Sequence, residues 1–260
     1  MKPLRNLRKS NALLRECMVR SLSGILPLYI VNEYPKCGGT WVGQMLGRAL
    51  NVPFPRNRFP TPRSSIMHGH YLDPRGMKNV TIVWRDGRDV MVSWYHQCLI
   101  PHELNKLQVE RERNNLPLRD YEDVRQNLPI FIEYVFTRQS YPGFSWNDFA
   151  RVWHPRNDVV HVFYEDLRHD IPGELQRIVL ELTGRKLSLP QATIIANEFS
   201  FERQAGRQAG EENKGSFLRK GVVGDWQNFF DQEAREVFDR YAGEELILLG
   251  YERTREWVSE

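Results

Sequence analysis

The hydrophobic residues of this chain fall in short unbroken runs, each followed by a stretch of helical spacing. Leu28–Asn32, Val80–Trp84 and Val159–Tyr164 are rich in Val, Ile and aromatic residues. An unbroken apolar run of this length predicts a strand buried on both faces. Its alternation with helices predicts a parallel sheet joined by right-handed crossovers. The expected class is α/β, a three-layer fold with a central parallel sheet flanked by helices. The first run passes through Tyr34-Pro35-Lys36-Cys37-Gly38-Gly39-Thr40-Trp41 into Val42–Leu50, which reads as the opening turns of a helix.

Other stretches read differently. The proline- and arginine-rich piece Phe54–Pro62 predicts an irregular connection. Residues 99–145 carry mixed charge from Glu110 to Arg113, an apolar periodic piece at Ile130–Phe136, and end near Tyr141-Pro142-Gly143. They predict an inserted helical lid. Downstream, Ile171–Leu182, closed by Gly184, and Gln191–Phe199 predict helices. Gln204–Ser216, rich in Gly, Gln and charge, predicts a mobile loop. Asp231 is the expected N-cap of a last helix reaching Leu249, with Gly250 after it. There is no internal repeat. One domain over residues 1–260, with 99–145 as its variable part, accounts for this organisation.

Composition adds little but excludes much. The 260 residues are 41% hydrophobic and 27% charged, enough for a real core. A formal net charge of +3 suits a small anionic ligand and lacks the dense basic stripe of a nucleic-acid binder. Cys17, Cys37 and Cys98 are too few and too scattered for a disulfide framework or a zinc site, so a reducing, cytoplasmic setting is expected. No run approaches the roughly 20 apolar residues that span a bilayer. The basic segment Met1–Arg20 predicts a solvated helix or arm. The short apolar run after it contains Pro27 and leads into the first strand, which argues against a cleaved signal.

Three segments carry chemistry. Tyr34–Trp41 joins strand to helix through glycines, so free backbone N–H groups and the helix dipole favour an anion. Lys36 adds a point charge suited to phosphate or sulfate, and Trp41 offers a flat face for a base. The order is not that of a Walker A loop, because Lys36 precedes the glycines and Asn32 stands where the first glycine is required. The second segment, Trp84-Arg85-Asp86-Gly87-Arg88-Asp89 continuing to Ser93 and His96, starts at a strand end, where ligands bind in open α/β sheets. Arg85 and Ser93 make a phosphate-binding pair. The third, Arg219-Lys220-Gly221-Val222-Val223-Gly224-Asp225-Trp226, follows two cations with glycines that admit a close ligand.

In order and spacing these segments resemble the three cofactor signatures of the cytosolic-type sulfotransferases. The resemblance runs from about Leu28 to Phe230 and is weakest across 99–145. It implies a P-loop-like fold and a sulfuryl donor, 3'-phosphoadenosine 5'-phosphosulfate (PAPS), with its product PAP. By the same resemblance Lys36 stabilises the leaving phosphate. Cys37, Gly38, Gly39, Thr40 and Trp41 hold the 5'-phosphosulfate, with Trp41 against adenine. Arg85, Ser93, Arg219, Lys220 and Gly221 hold the 3'-phosphate, while Tyr164 and Phe201 contact adenine. His70, in His68-Gly69-His70, matches the family histidine that deprotonates the acceptor, and His68 takes the place of a lysine. Glu33 is an alternative base from its position.

Some positions depart from that pattern. Cys37 and Gly39 replace hydroxyl residues, and Phe199 replaces a frequent threonine. In the segment Gln227–Glu236, where the family has a dimer motif, only Glu236 matches, so that dimer is not expected. Cys37, beside Lys36 at a helix N-terminus, is either a reactive thiol or a small loop residue. The reaction expected is in-line transfer to a hydroxyl or amine of a small-molecule or carbohydrate acceptor, with no metal required. The alternative is a PAP- or nucleotide-binding regulatory protein of the same fold without transferase activity.

Overall fold

The computed structural model describes residues 2–56, 58, 63–138 and 141–259, with side chains from residue 11 onward. The connection expected over 54–62 lies partly outside the described residues. In chain order the elements are α1 (Lys2–Leu22), β1 (Leu28–Glu33), α2 (Gly39–Leu50), β2 (Ser65–Gly69), β3 (Val80–Trp84), α3 (Gly87–Leu99), α4 (Lys106–Asn115), α5 (Val124–Arg138), α6 (Trp146–Trp153), β4 (Val160–Phe163), α7 (Tyr164–His169), α8 (Ile171–Thr183), α9 (Leu189–Glu198), α10 (Phe201–Ala205) and α11 (Gln232–Leu248). They fall into two compact units. One comprises Met1–Glu33, Cys37–Trp84 and Pro155–Ser200; the other comprises Tyr34–Lys36, Arg85–His154 and Phe201–Glu260.

The first unit holds the sheet, in the order β2-β1-β3-β4 with every pair parallel. Leu28, Ile30 and Val31 of β1 and Ile82, Val83 and Trp84 of β3 are fully buried, as unbroken apolar runs require of strands covered on both faces. Strand β2 is an addition to the three expected strands. Its sequence, Ser-Ile-Met-His-Gly, has only two apolar residues, and it becomes a strand because β1 offers its free edge. His68 and Gly69 therefore belong to a strand of their own, ahead of β3. The basic N-terminal segment is a helix, one of the two expected forms, but among its residues with described side chains it is only partly solvated. Leu13 is 68% exposed, whereas Val19 is fully buried and Arg15, 6% exposed, donates to the His68 carbonyl at 2.8 Å.

The second unit is helical with an aromatic core, in which Tyr95, Phe131, Trp146, Phe149, Trp153 and Phe238 are almost wholly buried. The expected lid over 99–145 forms α4 and α5. Of its aromatic residues, Phe136 and Phe144 pack this core beside Trp146 of α6, whereas Tyr134 and Tyr141 line a cavity of about 10 Å³ with Trp94, Cys98, Gln108 and Glu112. That volume holds about one water molecule. The caps follow the sequence reading. The Asp231 carboxylate accepts from the Ala234 N–H at 2.9 Å, and in the first unit Gly184 ends α8 with φ 70°.

Candidate active site

In the first unit the chemistry gathers where β1 and β2 end. The strands run in register with Val31 opposite His68 and Asn32 opposite Gly69. Side chains alternate along a strand, so His68 and His70 share a face. Beyond the strand end, buried Asn32 clamps the returning chain: the Tyr71 N–H donates to Asn32 Oδ1 at 2.7 Å and Asn32 Nδ2 donates to the Tyr71 carbonyl at 2.9 Å. The Tyr71 ring folds over Gly69 so closely that a Cβ there would lie 2.2 Å from it. This leaves His70 Nδ1 at 2.8 Å from the Glu33 carbonyl oxygen. A carbonyl only accepts, so Nδ1 carries the proton and Nε2 keeps its lone pair. Burial, then the neighbouring His68, push the His70 pKa down to about 4 against the pull of Glu33. The ring is neutral at pH 7.

Glu33 is the hub of this cluster. One carboxylate oxygen lies 2.8 Å from His68 Nε2, and the other accepts the Gly39 N–H at 2.5 Å. Burial alone would raise its pKa, but the bonds and charges of His68, His70 and Gly39 outweigh burial and hold it below the carboxylate range. The carboxylate thus occupies one of the amides at the N-terminus of α2, where negative charge is favoured. Gly38 precedes the helix with φ 104°. Trp41 Nε1 donates to the Phe199 carbonyl at 2.8 Å, and its ring meets Tyr164 edge-on at 5.9 Å between centroids. Trp41 and Tyr164, assigned to adenine, are thereby brought together. Cys37 is 1% exposed, which fits the small loop residue and not the accessible thiol.

In the second unit Lys36 has φ 78°, a conformation that non-glycine residues hold only under constraint and that concentrates at functional sites. Its ammonium donates to Gln97 Oε1 at 3.3 Å and sits 4.3 Å from the centre of the Phe217 ring. Arg85 donates to the carbonyls of Lys36 at 3.3 Å and Val222 at 3.4 Å, and faces Asp89 at 3.5 Å. Asp89 in turn accepts the N–H groups of Gly224 and Trp226, each at 2.9 Å. The third segment is also held by its own Asp225, which takes Arg219 at 2.5 Å and Lys220 at 2.6 Å. Gly221, at φ 66°, lies so near Phe201 that a Cβ would be 2.3 Å from the ring. Arg85, Phe201, Arg219, Lys220 and Gly221 are thus knitted into one region, and Ser93 stands half-buried on α3.

The acids that organise these cations escaped the sequence reading. Asp89 and Asp225 each follow an arginine or glycine of a quoted segment, so their place beside required cations was the available signal. Buried Arg88 lies between the rings of Trp226 and Trp257, 3.8 and 4.8 Å from their centres, and pairs with Asp86 at 2.8 Å. Trp226 is therefore a core residue. In the first unit, backbone donors at a helix start, a pair of aromatic rings and a neutral imidazole suit a nucleotide-like anion and proton removal; in the second, clustered cations suit an anion.

No helix among the described residues is long and apolar enough to cross a membrane. The family model "Sulfotransferase domain" matches residues 75–250. The rabbit (Oryctolagus cuniculus) amine sulfotransferase is 28% identical over 263 residues, covering 83% of this chain and 79% of that protein. The rat (Rattus norvegicus) sulfotransferase 1A1 is 26% identical, covering 82% of each. Among solved structures, mouse sulfotransferase SULT7A1 complexed with PAP superposes with a TM-score of 0.63 at 20% identity, covering 95% of this chain and 92% of that one. A retinol dehydratase in complex with androsterone and inactive cofactor PAP gives 0.60 at 18% identity, covering 90% and 85%. The fold is the one these structures share, and the family model spans well over half of the sequence: the chain belongs to the sulfotransferase family.

Proposed function

We propose that this sulfotransferase moves the sulfuryl group of PAPS to a hydroxyl or amine of a small-molecule or carbohydrate acceptor, with His70 as the base. The observation that carries the role of His70 is its hydrogen bond to the Glu33 carbonyl, which fixes the tautomer and leaves Nε2 to take the acceptor proton. The acceptor heteroatom forms its bond to sulfur as the bond from sulfur to the 5'-phosphate oxygen breaks. Lys36 and the amides at the start of α2 take up the charge that develops on the leaving phosphate. Arg85, Ser93, Arg219, Lys220 and Gly221 hold the 3'-phosphate, and Trp41, Tyr164 and Phe201 contact adenine. Positioning and fixed charge provide most of the acceleration, as in phosphoryl transfer. PAP held by the related mouse enzyme supports the donor assignment. The cavity beside Tyr134 is too small to be the acceptor site as it stands. A cytoplasmic location accompanies this reading.

Labelled-sulfate transfer from PAPS to a panel of phenols, amines and sugars, run beside PAP binding, tests the proposal. Transfer to any member supports it. PAP binding with no transfer to the whole panel favours a regulatory binding protein instead.

A further inference from the structure

Glu33, His68 and His70 bring two imidazoles and one carboxylate together on backbone held by hydrogen bonds. One donor atom from each lies within 4.8 Å of the others. Two histidines and a carboxylate, with positions left open, are the donor set of catalytic zinc and non-haem iron sites. We propose that this trio is a binding site for a divalent cation of the zinc class, and that its occupancy switches the enzyme off.

Three features of the surroundings support a metal site over an ordinary ion pair. The His70 Nδ1–H is tied to the Glu33 carbonyl at 2.8 Å, the outer bond that aims the opposite nitrogen of a ligating histidine at its metal. The Glu33 carboxylate has one oxygen tied to the Gly39 N–H at 2.5 Å, which orients the other oxygen toward His68 Nε2. The backbone of His68 is held by Arg15 at 2.8 Å. Each ligand therefore has its own support. The side chains of His68 and Glu33 are 9% and 5% exposed, so little water competes for the donors. Donor atoms on tetrahedral zinc lie about 3.3 Å apart, given bonds near 2.0 Å, so rotations that close the trio's wider separations, up to 4.8 Å, by at most about 1.5 Å complete the site. On binding, the proton shared between His68 Nε2 and Glu33 is released to solvent, and His68 ligates through Nε2.

Metal on His70 Nε2 uses the lone pair that would accept the acceptor proton. Occupancy and base catalysis exclude each other. Binding stands on the geometry alone, whereas inhibition rests on the proposed role of His70, and the test separates them. Purified chain is titrated with zinc against a chromophoric chelator, and with cobalt by visible absorption and histidine ring NMR. The expected result is one equivalent bound, at least 10-fold weaker in Glu33→Gln and in His68→Gln. In the wild-type chain, cobalt broadens the ring signals of His68 and His70 and leaves that of exposed His169 sharp. This wild-type measurement does not depend on how the variants fold. No binding, affinity unchanged in both folded variants, or broadening at other histidines overturns the site. Binding at the trio without loss of sulfuryl transfer overturns the switch and the base role of His70 while leaving the site.

Discussion

A Cβ on residue 39 would lie 2.7 Å from the carboxyl carbon of Glu33, so Gly39 and Glu33 are two halves of one arrangement. The family pattern has a hydroxyl residue at position 39. Here the glutamate fills that space and binds the Gly39 N–H at 2.5 Å. The lost side-chain contact and the new carboxylate explain each other. Gly39→Ala is expected to destabilise the chain by about 1–3 kcal/mol, the range for overpacking a tight site. Adding Glu33→Ala should recover much of that loss, because residues in contact do not act additively. Urea unfolding of the two single variants and the double variant checks this; strict additivity removes the coupling.

His70→Ala should lower turnover by about 10²-fold or more, the scale of general-base catalysis, with PAP affinity nearly unchanged. Single-turnover transfer alongside calorimetric PAP binding separates the two quantities. An unchanged rate takes the base role from His70.

Arg85 and Asp89 face each other at 3.5 Å but are expected to fail differently. Arg85→Ala should weaken PAP binding by roughly 2–5 kcal/mol, as for a lost partner of a buried charge. Asp89→Ala leaves the Gly224 and Trp226 N–H groups without their acceptor, and each orphaned donor costs about 1–3 kcal/mol of folding stability. Calorimetry and urea melts on both variants test this, and full PAP affinity in Arg85→Ala counts against its phosphate role.

Asp225 gives a pH dependence. Burial would raise its pKa, but hydrogen bonds from Lys220 and Arg219 outweigh burial and lower it below its ordinary 3.8. A carboxyl with a depressed folded pKa stabilises the native state above the unfolded value and loses that contribution as pH falls through the folded value. Asp225→Asn should therefore cost about 1–3 kcal/mol at pH 7, with the difference from wild type shrinking as the pH falls below 3.8. Denaturant midpoints of both proteins across that range check it. A difference independent of pH rules out the titrating clamp.

Much of the scaffold could be read without coordinates because it rests on local physics. Continuous apolar runs marked β1, β3 and β4, and the caps at Asp231 and Gly184 are set by residues within a few positions of each other. The three motif segments were visible for the same reason: each is a strand end, turn and helix start written in consecutive residues. What lay beyond the sequence depended on partners distant along the chain. Strand β2 exists because β1 pairs with Ser65–Gly69, not because its residues favour extension. The N-terminal helix buries Arg15 because the His68 carbonyl, 53 residues away, satisfies it. Trp226 is core because Arg88 fills the space between it and Trp257. The sequence alone determined which residues carry charge, lone pairs and flat faces. Only the tertiary structure decided that Glu33 would hold both a loop amide and His68, because burial removes water as a partner and leaves each polar atom to find another within reach.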